Sequence, residues 1–211
     1  MRAVMIAGSS VAAEWEAAAL ASADLLVAVD GGAEVLATLG LTPAILVGDM
    51  DSITIRTREA FENRGVEIVR LPIAKDETDT EAALRLVTSR GADDITVYGA
   101  LGGPRLDHLV GNLLLLSSPW LAGVRVRMAD DRHEAFLVKG DSTFAGVKGD
   151  TVSLLPLTPE VEKVRSEGLL YPLDGDVLVH GATRGISNSM TGAEARVTHG
   201  AGVLLLIHYR G

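Results

Sequence analysis

The sequence predicts an α/β fold in two domains: an N-terminal, mostly parallel sheet with helices on both faces, and a C-terminal antiparallel β-sandwich. Short apolar runs alternate with helix-like segments through residues 1–130, with short connections, which is typical of a parallel sheet covered by helices. After residue 131, short strand-like runs lie between turns rich in Gly, Pro and Asp, without a helical stripe. We therefore predict an α/β domain over residues 1–130 and a β-sandwich over residues 131–211.

Six short apolar runs are the predicted strands of the first domain. A buried strand is a continuous apolar segment that stops at a turn residue. Gly8 ends the first run in this way, and Pro72 ends the fourth. The six runs are residues 3–8, 25–30, 44–49, 66–72, 94–100 and 124–130.

Helical segments are predicted between these strands. Residues 15–23 are rich in alanine, the strongest helix former. In the next helix an apolar stripe of Val35, Leu36 and Leu39 precedes Gly40, which stands where a glycine ends a helix. The helices after the first are residues 33–40, 53–64, 80–89 and 106–116, and the second domain has predicted strands at residues 134–138, 151–157, 176–181, 195–200 and 202–209.

The composition excludes several classes of function. The formal net charge of -9 argues against nucleic acid as a partner, because binding its phosphates needs a surplus of Lys and Arg. The chain has no cysteine, which excludes disulfides, thiolate catalysis and Cys-based zinc sites. No segment approaches the roughly 20 apolar residues of a membrane span. We therefore expect a cytoplasmic protein without a membrane partner, in which a cation mediates any contact with a phosphate-bearing substrate.

Two aspartates, Asp49 and Asp51, stand one residue apart directly after the third predicted strand, in LVGDMDSI. Residues i and i+2 of an extended chain point the same way, about 6.5–7 Å apart, so both carboxylates can face one cation. Mg²⁺ is the natural candidate, because it takes one or two carboxylates and completes its shell with water and substrate phosphates. By itself, the pair is explained equally well as a turn in which Ser52 caps the next helix.

The segment KDETDTEAAL, residues 75–84, follows the fourth predicted strand. Thr78 and Glu81 have the capping-box spacing, which predicts that a helix starts here. Acidic residues in a first helical turn stabilise the helix dipole, so they do not by themselves indicate a site. However, a helix N-terminus beside a cation such as Lys75 is also a good site for a polyphosphate.

The segment GALGGPRLDHLVGN, residues 99–112, follows the fifth predicted strand. Its glycines allow close approach of a ligand to the backbone, and Arg105 offers a forked donor suited to phosphate. Ligands of open α/β sheets bind outside the carboxyl ends of the strands. Since Asp30 also closes a strand, the polar residues of four consecutive strand ends are expected to form one site.

Taken together, these segments resemble the thiamine pyrophosphokinase family, also called thiamine diphosphokinase. The resemblance implies a nucleotide-binding α/β domain, a thiamine-binding sandwich and transfer of the pyrophosphoryl group of ATP to the thiamine hydroxyl with Mg²⁺, giving thiamine diphosphate and AMP. It also implies a homodimer with the active site between subunits. The matching stretches, in the family's order from residue 29 to 207, are VDGGAEVL, GDMDSI, KDETDTEAAL, GGPRLDHLVGNLLLL, GLLYPL, GISNSM and ARVTHGAGVLLLI.

The resemblance also implies roles for individual residues. Those that would hold Mg²⁺ are Asp49, Asp51 and Asp79, and they form the catalytic set together with Arg105 and Asp107. Ser187 and Asn188 would contact the pyrimidine ring of thiamine. The residues that would bind ATP are Asp30, Gly31, Gly32, Lys75, Asp76, Thr78, Gly102, Gly103 and His108.

The chain departs from the family pattern at three points. Pro104 lengthens the loop before Arg105 by one residue, Ser189 stands where many members have Glu, and the C-terminal half has no Trp to stack on thiamine. Three other functions therefore remain open: a related pyrophosphokinase acting on a pterin or another small alcohol, a metal-dependent glycosyltransferase that uses the two aspartates, and a nucleotide sensor without turnover.

Overall fold

The computed structural model describes residues 1–8, 20 and 22–211. The helix predicted for residues 15–23 falls mainly outside the described residues. The chain forms two compact units, Met1–Asp131 and Arg132–Gly211. In the described ranges, no helix combines the length and the apolar character needed to cross a membrane.

Within the described part of the first unit, six strands form a parallel sheet: β1 (Arg2–Ile6), β2 (Leu25–Val29), β3 (Ile45–Gly48), β4 (Glu67–Arg70), β5 (Asp94–Tyr98) and β6 (Arg125–Ala129). Their spatial order is β6–β5–β1–β2–β3–β4. The chain therefore builds the sheet outward from β1 to β4 and then returns to the other side of β1. Val4, Ile6 and Leu46 are fully buried in its core, and burial of each such side chain stabilises the fold by about 1.5–3 kcal/mol.

The described helices of this unit each follow a strand: α1 (Gly32–Thr38), α2 (Ile55–Glu62), α3 (Asp79–Ser89) and α4 (Leu106–Leu115). Thr54 and Thr78 cap α2 and α3, because their hydroxyl oxygens accept a backbone N–H of the first turn. Gly40 has a φ of 70° just after α1, as its predicted role at the end of that helix requires. A short 3₁₀ helix at Pro119–Leu121 was not predicted.

The second unit is a β-sandwich whose two antiparallel sheets share one apolar core. Val152 and Leu206 come to this core from one sheet, and Val164 and Val197 come from the other. The strands are β7 (His133–Val138), β8 (Asp141–Ala145), β9 (Thr151–Pro156), β10 (Glu160–Glu167), β11 (Asp174–Val179), β12 (Asn188–Ser189), β13 (Glu194–Thr198) and β14 (Leu204–Tyr209). One sheet has the order β12–β9–β14–β7 and the other β11–β10–β13–β8.

The predicted fold class is confirmed, since a largely parallel sheet with helices precedes antiparallel sheets. Three strands of the second unit were missed: β8, β10 and β12. In β10, the register shifts between Val161 and Val164, and Lys163 between them has a φ of 54°. This bulge interrupts the alternation of inward and outward residues by which a strand is predicted.

Candidate active site

Asp30 and Asp49 lie close together because β2 and β3 are neighbouring parallel strands. Val29 pairs with Val47 in the sheet, and the backbone N–H of Asp30 donates to the carbonyl oxygen of Val47 at 2.7 Å. Each aspartate follows the carboxyl end of its strand, at the edge of the sheet where α/β proteins bind ligands.

Gly48 allows the two turns to approach each other. A Cβ at this position would lie 3.0 Å from both the Cα and the Cβ of Asp30, which is closer than ordinary packing permits without a shift. Asp30 and Met50 have φ angles of 45° and 72°, values that are uncommon for residues with a side chain. Backbone strain of this kind is found mainly at functional sites, and here it lies in the two turns that carry the acidic residues.

The carboxylates of Asp30, Asp49 and Asp51 converge. One oxygen from each lies within 4.8 Å of the other two, and Oδ1 of Asp30 is buried without a hydrogen-bond partner among the described residues. Burial raises the pKa of Asp30. By contrast, the N–H of Asp51 donates to Asp49 Oδ1 at 3.1 Å and lowers the pKa of Asp49. Three converging carboxylates, one of which has a buried and unsatisfied oxygen, fit a divalent cation such as Mg²⁺.

Lys75 connects this group to the start of α3. Its Nζ lies 3.5 Å from Asp49 Oδ2 and 3.3 Å from Asp79 Oδ1, and it donates to the carbonyl oxygen of Pro72 at 3.1 Å. The side chains of Lys75, Asp49 and Asp79 are 13%, 12% and 25% exposed, so solvent screens these ion pairs less than surface pairs. Burial alone would lower the pKa of Lys75, but the charges of Asp79 and Asp49 outweigh it and raise that pKa.

The converging carboxylates differ in one member from the set predicted to hold the metal. Sequence reasoning placed Asp79 with Asp49 and Asp51, and placed Asp30 among the ATP contacts. In the described part of the chain, Asp30 groups with Asp49 and Asp51, whereas Asp79 contacts the ammonium group of Lys75. The difference arises because β2 lies directly beside β3 in the sheet.

Thr78 has a structural contact in addition to its predicted contact with ATP. Its Oγ1 accepts the N–H of Glu81 at 3.1 Å, as the capping-box spacing predicts. The side chain of Glu81 is bound by Arg85, whose Nη2 lies 2.8 Å from Oε1. Asp76 is exposed in the loop before α3, where it is open to solvent and to a ligand.

Arg105 and Asp107 bind each other at the start of α4. Nε and Nη2 of Arg105 donate to the two carboxylate oxygens of Asp107 at 2.9 and 2.5 Å. This bidentate pair holds the pKa of Asp107 well below its usual range, although both side chains are exposed. Gly102, Gly103 and His108 are also exposed around this turn.

Asn188 holds the backbone of Tyr171 with both ends of its side-chain amide. Its Oδ1 accepts the Tyr171 N–H at 3.0 Å, and its Nδ2 donates to the Tyr171 carbonyl oxygen at 2.7 Å. Asn188 is 7% exposed and Tyr171 is 67% exposed, so a buried amide supports an exposed aromatic ring. The adjacent Ser187 has a φ of 61°, and its N–H donates to Ser153 Oγ at 3.1 Å.

Sequence reasoning missed Tyr171 and Asn112. Tyr171 is the aromatic residue of GLLYPL, one of the stretches that carry the family resemblance. Its position beside Asn188 depends on tertiary contacts: the hydrogen bonds from the Asn188 side chain and the bridge between Leu169 and Met190. Asn112 is buried in α4, and its Nδ2 donates to the carbonyl oxygen of Ala100 at 2.9 Å. This bond ties the glycine-rich loop to the helix that follows it.

Two protein-family models match the chain, one in each unit. The model described as thiamin pyrophosphokinase, catalytic domain, matches residues 17–128. The model described as thiamin pyrophosphokinase, vitamin B1 binding domain, matches residues 139–204. The first match contains the converging aspartates, and the second contains Tyr171 and Asn188.

Individual proteins are similar to the chain over nearly its whole length. Thiamine pyrophosphokinase from Bacillus subtilis is 28% identical over 185 residues, which cover 87% of this chain and 86% of that protein. A crystal structure of the Bacillus subtilis protein matches with a TM-score of 0.88 at 25% identity, covering 100% of both chains. The thiamin pyrophosphokinase from Geobacillus thermodenitrificans matches with a TM-score of 0.84 at 25% identity, covering 100% of this chain and 98% of the other.

Proposed function

The chain belongs to the thiamin pyrophosphokinase family, and on this premise we propose that it transfers the pyrophosphoryl group of ATP to the hydroxyl group of thiamine, forming thiamine diphosphate and AMP. The observation that carries the proposal is the convergence of Asp30, Asp49 and Asp51 beside Lys75 at the carboxyl edge of the parallel sheet. Because the chain has a net charge of -9, a cation held at this place would favour the binding of a polyanion.

Asp30, Asp49 and Asp51 would hold Mg²⁺ in this site. When bound, Mg²⁺ supplies positive charge that stabilises the phosphate oxygens during transfer. The chain itself contributes the positions of the ligands. Pairing of β2 with β3 brings the two turns together, and Gly48 leaves the space that their close approach requires. Since Oδ1 of Asp30 has no hydrogen-bond partner in the part of the chain that the structure describes, a cation would satisfy it.

Lys75 adds a fixed positive charge to the same site. Its ammonium group is held by the carbonyl oxygen of Pro72 and lies between Asp49 and Asp79. Phosphoryl transfer depends on alignment and neutralisation of charge more than on covalent chemistry. We therefore assign Lys75 to the phosphate chain of ATP, with exposed Asp76 and Thr78 as further contacts in the same loop.

The proton of the attacking hydroxyl goes to Asp79 in this proposal. Asp107 is a weaker choice, because its pairing with Arg105 holds its pKa well below the usual range and so makes it a poor proton acceptor. Arg105 uses Nε and Nη2 for that pair. Nη1 of Arg105 is not used in that pair, and we assign it to binding phosphate together with the glycine-rich loop before α4.

The second unit would hold thiamine through Tyr171, Ser187 and Asn188. An aromatic ring stacks favourably on a flat heterocycle, and Tyr171 is exposed while Asn188 holds its backbone. Asn188 thus acts on thiamine by positioning Tyr171, in addition to the direct contact that the family resemblance implies. Ser187 lies next to this clamp, in a strained turn.

Product analysis tests the proposed reaction. Purified protein is incubated with ATP, Mg²⁺ and separate alcohols that include thiamine and a hydroxymethyl pterin, and nucleotides and products are separated by chromatography. We expect AMP and thiamine diphosphate in equal amounts. Formation of ADP with thiamine monophosphate, or a product with the pterin alone, would contradict the proposal.

We also propose that the protein works as a homodimer in which one subunit's aspartates act on thiamine held by the other subunit. This proposal rests on the resemblance to the family, which implies a homodimer. Complementation between two variants of low activity tests it. Asp51→Asn and Tyr171→Ala are each expected to have low activity. Mixing and refolding the two variants together should restore a substantial part of the wild-type rate, because mixed dimers contain one site with both native residues. A mixture no more active than its components would reject the shared site.

A further inference from the structure

Glu34 connects the two turns that carry the converging aspartates. It lies in the first turn of α1, four residues after Asp30. Its Oε1 accepts the backbone N–H of Thr54 at 2.7 Å, and its Oε2 accepts the hydroxyl of Thr57 at 2.8 Å. Thr54 follows Asp51 by three residues and caps α2.

Both oxygens of Glu34 are therefore used to join α1 to the start of α2. Thr54 already caps α2 with its own side chain, which accepts the N–H of Thr57 at 3.2 Å. Glu34 adds a second connection that comes from a different helix. Burial by itself would raise the pKa of Glu34, but the donors from Thr54 and Thr57 outweigh it and lower that pKa, so the side chain is a carboxylate at neutral pH.

We propose that Glu34 is a positioning residue for the divalent-cation site, because it fixes the distance between the Asp30 turn and the Asp51 turn. This inference rests on the proposed function, in which Asp30, Asp49 and Asp51 hold the cation. Glu34 does not belong to the converging carboxylates. It acts through Thr54 and Thr57, as residues behind a metal ligand set commonly do.

Metal binding by the protein alone tests the inference. Mn²⁺ is titrated into each variant without nucleotide, and free Mn²⁺ is measured by electron paramagnetic resonance. Loss of a supporting residue typically weakens metal affinity about 10–100-fold, and we expect a change of about tenfold for Glu34→Ala. Glu34→Gln should stay within about threefold of wild type, because its amide can accept from the Thr54 N–H and donate to the Thr57 hydroxyl.

Glu67→Ala is the matched control. Glu67 also uses both carboxylate oxygens, which accept from Nη1 and Nη2 of Arg90 at 2.7 and 2.5 Å. Glu67 is the first residue of β4 and so lies at the amino ends of the parallel strands, whereas the aspartates follow the carboxyl ends. We expect its removal to leave Mn²⁺ affinity unchanged. An equal loss in Glu34→Ala and Glu67→Ala would attribute the effect to general destabilisation and overturn the inference.

The remaining outcomes separate the inference from the function on which it rests. If wild type binds Mn²⁺ and Glu34→Ala binds it equally well, Glu34 has no positioning role while the cation site stands. If wild type binds no Mn²⁺ and also makes no thiamine diphosphate, the proposed function itself is rejected, independently of Glu34. If Glu34→Ala does not fold, the same Mn²⁺ titration is made with Thr57→Val, which removes the hydroxyl that donates to Glu34. We expect weaker Mn²⁺ binding in this variant as well. Unchanged affinity there rejects the inference.

Discussion

The side-chain amide of Asn188 makes two hydrogen bonds to the backbone of Tyr171, accepting its N–H at 3.0 Å and donating to its carbonyl oxygen at 2.7 Å. The bonds join two stretches that are 17 residues apart in sequence. Buried Asn188 thereby sets the position of the exposed Tyr171 ring. The side chain that sequence reasoning assigned to direct contact with thiamine therefore also supports a neighbouring residue.

Asn188→Ala should raise the KM for thiamine by about tenfold while the KM for ATP changes by less than about twofold, because the two hydrogen bonds by which the Asn188 amide positions Tyr171 are lost. Ser187→Ala is expected to act in the same direction. Tyr171→Phe, which keeps the ring, should stay close to wild type, and Tyr171→Ala should not. Steady-state kinetics with each substrate varied separately makes the measurement. Equal changes in the KM for thiamine and the KM for ATP would reject the assignment of Asn188 to the thiamine site.

Asp51→Asn and Asp79→Asn should each lower kcat by at least about a thousandfold, because each removes a charge from the site of transfer. The far-ultraviolet circular dichroism and the melting temperature should remain near those of wild type. Asp93→Asn is a suitable control, since Asp93 pairs with the N-terminal ammonium group at 2.7 Å and lies outside the proposed site. Full activity in both test variants would refute the assignment of these carboxylates.

Asp30→Asn should make the protein more stable and less active. Burial raises the pKa of Asp30, so the folded state binds its proton more readily than the unfolded state. Stability therefore falls as the pH rises from the unfolded pKa, about 3.9, through the folded pKa, and the full loss is present at neutral pH. Asparagine removes the charge and tolerates the positive φ of this position.

Thermal unfolding without divalent cations checks this expectation. The stability gain of Asp30→Asn should be about 1 kcal/mol at neutral pH and should shrink below about pH 4. Activity should fall at least about a hundredfold. A lower melting temperature at neutral pH would mean that the ionised carboxylate stabilises the fold, contrary to this account.

Gly32→Ala should destabilise the first unit, whereas Gly111→Ala should stabilise it. A Cβ at Gly32 would lie 1.9 Å from the carbonyl oxygen of Ile6, so α1 would have to move away from β1 at a cost of about 3 kcal/mol. Gly111 lies within α4, and a Cβ added there would meet no atom of the described residues within 4 Å, so alanine is favoured by about 0.5–1 kcal/mol. Urea unfolding measures both. Similar changes in the free energy of unfolding of Gly32→Ala and Gly111→Ala would exclude the steric contact with the carbonyl oxygen of Ile6.

Asp150 should make the stability of the second unit depend on pH. Its Oδ2 accepts the N–H of Val147 at 3.0 Å and lies 2.8 Å from Nε2 of buried His208. Burial alone would raise the pKa of Asp150, but the Val147 N–H and His208 outweigh it and lower that pKa. The carboxylate therefore stabilises the fold above its unfolded pKa, about 3.9, and this contribution is lost as the pH falls through the folded pKa.

Asp150→Asn should accordingly lower the free energy of unfolding by about 2 kcal/mol at neutral pH, because hydrogen bonds to a charged carboxylate are lost, and the difference from wild type should narrow below about pH 4. Urea unfolding at several pH values gives this comparison. The exposed Asp174, which pairs with Arg165, is the control, and Asp174→Asn should stay within about 0.5 kcal/mol of wild type. If the difference in unfolding free energy between Asp150→Asn and wild type does not change with pH, the stabilising role of the ionised Asp150 carboxylate is contradicted.

The sequence by itself predicted the fold class, because alternating apolar runs and helical stripes are local patterns that each element carries in its own residues. It also predicted that α3 begins beside Thr78, since a capping residue acts on the N–H groups that follow it directly. It failed at β10, where the register shift between Val161 and Val164 breaks the local pattern.

Tertiary structure decided which distant residues meet. Sequence reasoning grouped Asp79 with Asp49 and Asp51 as metal ligands, which stays a prediction. The order of the strands also brings Asp30 to Asp49 and Asp51, and Asp79 contacts the ammonium group of Lys75. The physical reason is that strand order and register are set by pairing between segments far apart in the chain. Local patterns show that a strand ends in a polar residue, but only the assembled sheet determines its neighbours.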